Sequence, residues 1–250
     1  MLMNHTLERL KEMRLKGMAE CYKSQLEQPD ALSLPFEERF SLIIDYEWTS
    51  RQNRRLERLL KQAKLRLPAC LEDIDYQHPR GLDRSLINRL KSCEWIESFQ
   101  NIVITGATGV GKTYLACALG NAACRRGYST RYYRIPRLLS EIAMARGDGS
   151  YVKLLNKLRK FRLLIFDDWG LTPFTQDESQ EILEVIEDRS QLASTIIISQ
   201  LPVEHWHEVL GDPTLADAIL DRIIHNAHKF YLKGESMRKV KGGVSTPVSK

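Results

Sequence analysis

Eight consecutive residues carry the clearest chemistry in the chain: Gly106, Ala107, Thr108, Gly109, Val110, Gly111, Lys112 and Thr113. Glycines at this spacing let successive backbone N–H groups curl inward around an anion, and a helix start adds its own exposed N–H groups and positive dipole end. A lysine in the seventh position reaches the β- and γ-phosphates of a nucleoside triphosphate, and the following hydroxyl is placed to ligate Mg²⁺. The context is the required one. Ile102, Val103 and Ile104 form an apolar run before the loop, and Tyr114, Leu115 and Ala116 open a helix-forming run after it, with Tyr114 beside the bound nucleotide.

A second constellation lies about 55 residues downstream, where Leu-Leu-Ile-Phe-Asp-Asp spans 163–168. A continuous apolar run suits a strand buried on both faces of a parallel sheet, whose carboxyl end is where ligands bind. Asp167 can hold Mg²⁺, commonly through water, while Asp168 can orient or activate the attacking water. A further buried run, Thr195 to Ile198, ends at Ser199 and Gln200. One of these polar side chains can reach the γ-phosphate or the attacking water.

Alternation of helical patterns with buried strands after residue 70 argues an α/β fold, a doubly wound parallel sheet. The residues before it are helical throughout. An amphipathic pattern runs from about Thr6 to Gln28, a second helix restarts at Ser33 and Pro35, and Trp48 to Leu67 continues the helical pattern, with or without a break. We therefore expect an all-helical N-terminal domain at 1–70, an ATPase domain at 71–241 and a disordered tail at 242–250, with the boundary near Pro68 to Tyr76. Asp83 can cap a short helix, Arg84 to Lys91.

The 250 residues carry a net charge of +5, so the distribution of charge matters more than its sum. Between Arg51 and Arg66 seven cations face one acid, Glu57. Arg51, Arg54, Arg55, Arg58 and Lys61 fall at three- and four-residue steps, so they share a helix face that could follow a phosphate backbone. Lys153, Lys157, Arg159 and Lys160 form a second basic helix surface. Both are candidate contacts for duplex DNA, read largely without regard to sequence; the alternative for each is a solvated face. No apolar run approaches the ~20 residues that span a bilayer, and no secretory signal pattern opens the chain, so a cytoplasmic location is expected. The five cysteines form no Cys-x-x-Cys pair, and the His205/His207 and His225/His228 pairs lack the further ligands of a metal site.

The order of these motifs, with Phe-Asp-Asp-Trp-Gly at 166–170, Ile-Ser-Gln-Leu-Pro at 198–202, Ala-Asp-Ala-Ile-Leu-Asp-Arg-Ile at 216–223, Asp-Ile-Asp-Tyr at 73–76 and Pro-Arg-Gly-Leu-Asp-Arg at 79–84, resembles the IstB family. These are ATP-binding helpers of bacterial insertion sequences, related to DnaC and DnaA within the AAA+ P-loop NTPases. The resemblance implies a Walker A loop at Gly106, Gly109, Gly111, Lys112 and Thr113, and a Walker B pair at Asp167 and Asp168, with aspartate where many AAA+ proteins have glutamate. It implies that Arg222 reaches into a neighbouring subunit's ATP, that Arg238 is a weaker candidate for a second sensor, and that ATP bridges a homo-oligomer. It also supplies the partner, an IstA-like transposase. The expectation is an ATP-driven assembly on duplex DNA that stimulates this transposase, with ATP hydrolysis as the switch. Alternatives are a DnaC-like helicase loader, a nucleotide kinase, and a non-catalytic DNA-binding scaffold.

Overall fold

The computed structural model describes residues 2–237, which fall into two compact units divided between Arg58 and Leu59. Arg238 and the tail at 242–250 lie outside the described residues.

The first unit holds helices α1 (Leu2–Glu12), α2 (Lys16–Glu27), α3 (Pro29–Leu32) and most of α4 (Phe36–Ala63). Where one helix was expected over 6–28, the chain breaks at Arg14, whose φ of 60° is left-handed. The break is a helix C-terminus closed by backbone bonds from Leu15 N to Leu10 O and from Arg14 N to Lys11 O, a closure that does not require glycine. The helical pattern that restarts at Ser33 and Pro35 and continues over 48–67, where a break was left open, forms one helix, α4. Its 28 residues contain neither Gly nor Pro, so nothing interrupts the hydrogen-bond ladder. Glu47 of α4 is buried at the start of α2. Its carboxylate accepts from the Met18 N–H at 3.1 Å, where the positive end of the helix dipole favours an anion.

The second unit opens with the end of α4. Ala63 and Ala69 are fully buried, and Ala69 and Leu65 belong to the core of the sheet, so this basic stretch is anchored there although its composition reads as helical domain. Short helices α5 (Arg84–Leu90) and α6 (Glu94–Glu97) follow, with the Asp83 carboxylate capping α5 through the N–H groups of Ser85 and Leu86. The remaining order is β1 (Asn101–Gly106), α7 (Lys112–Arg125), β2 (Thr130–Arg134), α8 (Ile135–Asp148), α9 (Tyr151–Arg159), β3 (Leu163–Trp169), α10 (Gln176–Glu187), β4 (Ser194–Ser199), α11 (Trp206–Leu210), α12 (Pro213–Ile224) and β5 (Ala227–Leu232).

The five strands are parallel in the order β2-β3-β4-β1-β5. Side chains alternate faces along a strand. Ile102 and Ile104, Leu163 and Ile165, Ile196 and Ile198 therefore join one apolar core, while Val103, Leu164, Phe166 and Ile197 join the other. Both faces are covered, which explains why the strands read as uninterrupted apolar runs. The topology sets β4 between β1 and β3, so the loop after β1, the carboxylates ending β3 and the polar exit of β4 meet at one edge.

Candidate nucleotide-binding site

The loop leaves β1 at Gly106, which has φ 140° and lies so close to β5 that an added Cβ would stand 2.1 Å from the Leu232 carbonyl oxygen. It enters α7 through Gly111 in the left-handed region, with φ 102°. Val110 is fully buried and pins the loop to the core, while Ala107 and Thr108 are exposed at its rim. Lys112 is itself buried, and its Nζ donates to the carbonyls of Gly106 and Ala107, 2.7 Å each. A cation held at the mouth of a ring of backbone N–H groups suits a polyanion.

Thr113 Oγ1 donates to Asp167 Oδ2 at 2.9 Å, uniting the two expected metal ligands. The two oxygens are hard donors of the kind Mg²⁺ takes, alongside water and phosphate. Asp167 is nearly buried and also accepts from the Tyr132 hydroxyl at 2.6 Å. Burial, with that carboxylate alongside, drives the Tyr132 phenol pKa far upward, so the hydroxyl stays a donor.

Consecutive residues of a regular strand face opposite ways, so two adjacent aspartates would not share a site. Here β3 is irregular against β4 between Phe166 and Trp169, and Asp168 takes φ 61°. A bulge of this kind re-aims a side chain. As a result both carboxylates line one small cavity of about 120 Å³, together with Thr108, Lys112, Thr113 and Gln200. Asp168 meets Arg134, at the end of β2, at 2.5 Å.

The two residues ending β4 part company. Ser199 is buried and spends its hydroxyl on the Trp169 carbonyl and the Leu201 N–H, tying β4 to β3. Gln200 instead reaches the loop, its Oε1 accepting from Thr108 Oγ1 at 2.8 Å. A second cavity of about 410 Å³ adjoins the loop and is lined by Arg66, Asp73, Asp75, Arg80, Tyr114 and Met237. Arg80 is buried and hydrogen-bonds the carbonyls of Val110 and Asp75, bracing the loop from behind. Arg66, Arg80, Tyr132 and Arg134 were not singled out from the sequence as part of this site. Each lies more than 20 residues from the motifs it touches; only Arg80 falls in a quoted motif, 79–84, and nothing in that motif's spacing pointed to the loop.

Arg222 is elsewhere. It sits at the end of α12, its guanidinium on Ala218 O at 2.9 Å and Glu187 Oε1 at 2.8 Å. Its backbone carbonyl accepts from Asn101, the first residue of β1, whereas the loop follows the last. Five strand steps of about 3.3 Å separate these ends, on the order of 16 Å, beyond the reach of an arginine toward its own loop.

Of the candidate DNA-contacting residues, Arg51, Arg54, Arg55, Arg58 and Lys61 are exposed on α4, and Lys153, Lys157, Arg159 and Lys160 on and just past α9. Arg51 and Arg54 also pair with Glu47, at 2.6 and 3.5 Å, an acid one turn ahead of the charge run. Among the described residues no group of three or more His, Cys, Asp or Glu is placed to hold a metal, and no helix is long and apolar enough to cross a membrane. The cysteines are free.

Solved structures share this fold. The DnaI crystal structure matches 72% of the chain over its whole length, with a TM-score of 0.59 and 21% identity. The DnaC helicase loader matches 68% of the chain over its whole length, at 0.55 and 20%. DnaA from Aquifex aeolicus, bound to AMPPCP, matches 71% of the chain over 54% of its own, at 0.56 and 22%. The chain belongs to the family described as IstB-like ATP binding protein, whose model matches residues 8–243. A Sinorhizobium fredii protein described as an insertion sequence ATP-binding protein is 47% identical, over 96% of this chain and 98% of its own length. The protein so described for insertion sequence IS21 of Pseudomonas aeruginosa is 33% identical, over 98% and 96%.

Proposed function

We propose that the chain is an ATP-dependent helper of insertion-sequence transposition, an ATPase that assembles on duplex DNA and stimulates a partner transposase. The loop residues Gly106 to Thr113 hold the triphosphate, with Lys112 on the β- and γ-phosphates and Tyr114 beside the nucleotide. Thr113 and Asp167 hold Mg²⁺, which would neutralise phosphate charge. Asp168 accepts a proton from the attacking water as the bond to the γ-phosphorus forms and the bond to ADP breaks, and Gln200 helps to place that water.

The observation that carries the oligomeric part is the position of Arg222. A guanidinium at the far end of β1 from its own loop can complete only the site of a second copy, where it would stabilise charge developing on the phosphoryl group. Interfaces of this head-to-tail type build rings or open helices. The basic faces of α4 and α9 then hold the DNA backbone, and hydrolysis resets the assembly.

The test mixes two variants. Lys112→Ala loses the triphosphate contact but keeps Arg222, and Arg222→Ala does the opposite. Each alone is expected to lose ATP turnover on duplex DNA, and a mixture should recover part of it. An Arg222→Ala protein with wild-type turnover would refute the shared site. Capture of a replicative helicase instead of the transposase by the assembled protein would move the reading to a helicase loader.

A further inference from the structure

We propose that Arg66 is a cis ligand of the nucleotide's phosphates that shares the Asp167 carboxylate with the metal. This rests on the reading of the loop as an ATP site. Arg66 borders both cavities beside the loop, the larger one lined by Tyr114 and Arg80 and the smaller one lined by Asp167, Asp168 and Gln200. Gly109, Lys112 and Thr113 of the loop border both as well, so a ligand spanning the two would lie between the loop and Arg66. One guanidinium nitrogen lies 3.7 Å from Asp167 Oδ2, the same oxygen that accepts from the Tyr132 hydroxyl.

The backbone around Arg66 is fixed. The chain turns sharply out of α4 at Lys64, φ 48°, and Leu65 and Ala69 are held in the core of the sheet. The side chain alone is partly free, 43% exposed and able to turn between carboxylate and phosphate.

A fixed cation here has effects of opposite sign. It attracts the phosphates, and it weakens the hold of Asp167 on a second cation by like-charge repulsion and by competing for the same oxygen. A residue that only supported the fold would lower both affinities together.

The experiment measures displacement of a fluorescent ATP analogue by ATP, in EDTA and with saturating Mg²⁺, for wild type, Arg66→Ala and Arg66→Lys. Loss of one charge-assisted contact predicts about tenfold weaker ATP binding to Arg66→Ala in EDTA. With Mg²⁺ the loss should shrink to about threefold, because the metal then holds Asp167 without competition. Arg66→Lys keeps the charge and should stay within about threefold of wild type in EDTA. Unchanged affinity of Arg66→Ala in EDTA would overturn the proposal, as would equal losses in EDTA and Mg²⁺. A wild-type chain that bound no ATP would instead overturn the reading of the loop itself.

Discussion

Replacing Gly106 by alanine should damage fold and site together, by an amount the geometry sets. An added Cβ would lie 2.1 Å from the Leu232 carbonyl oxygen and 3.0 Å from its carbon, where ordinary contact begins near 3.4 Å. The obstacle is backbone in a paired strand, Gly106 standing opposite Leu232, so it cannot rotate away. Relief needs a separation of β1 and β5 by more than 1 Å, which disturbs Leu232 in the core. Overpacking of this kind costs about 1–3 kcal/mol. The backbone conformation, φ 140°, adds about 1–3 kcal/mol for a residue with a side chain. The expected loss is about 4 kcal/mol, or roughly 8–16 °C in the melting temperature of the second unit. Because the Gly106 carbonyl also accepts the Lys112 ammonium, ATP affinity should fall in the same variant. Gly147→Ala is the control, since nothing stands within 4 Å of its added carbon and it lies inside α8. There alanine should be neutral or stabilising by up to about 1 kcal/mol. Calorimetry and analogue binding on both variants test the argument. A Gly106→Ala protein within about 2 °C of wild type, with unaltered ATP affinity, would refute it.

Other expectations are more direct. Asp168→Asn should bind ATP with near wild-type affinity and lose turnover by at least about a hundredfold, read by phosphate release; wild-type turnover would remove Asp168 from catalysis. Replacing Arg51, Arg54, Arg55 and Arg58 by glutamine should weaken duplex DNA binding and flatten its salt dependence by about 3 units of log–log slope. That is short of the ~4 that four phosphate contacts would give, because Arg51 and Arg54 share Glu47. An unchanged slope would assign that face elsewhere. Burial pushes the Glu47 carboxyl up, but hydrogen bonds from Arg51 and from the Met18 and Gly17 N–H groups outweigh it and leave the pKa lowered. A carboxyl depressed by folding stabilises the folded state above its unfolded pKa of about 4.3 and loses that contribution as pH falls through the folded value. Glu47→Gln should therefore cost the N-terminal unit about 1 kcal/mol at pH 7, with the gap closing as the pH falls through the lowered pKa of the folded state. A gap that persisted in acid would mean that the charge of Glu47 is not what matters.

The chain's own order of residues determined the loop, its lysine and hydroxyl, the strand pair that carries it and the identity of the acids. All of these rest on local spacing, on periodicity within a few residues, or on the buried parallel strands that Ile102–Ile104 and Leu163–Phe166 announce by having no polar face. The helix ends were less legible. Arg14 ends α1 without glycine, because the hydrogen-bond closure there acts below the level of composition.

Tertiary structure alone decided what surrounds the phosphate loop. Strand order brought Gln200 to Thr108 and turned Ser199 into a tie for β3. A bulge, not the strand's period, let Asp167 and Asp168 face one cavity. Arg66, Tyr132 and Arg134 arrived from segments with no motif of their own. Placing Arg222 at the opposite end of β1 is likewise a matter of topology. Contacts such as these depend on which distant segments the sheet sets side by side, and spacing along the chain carries no record of that.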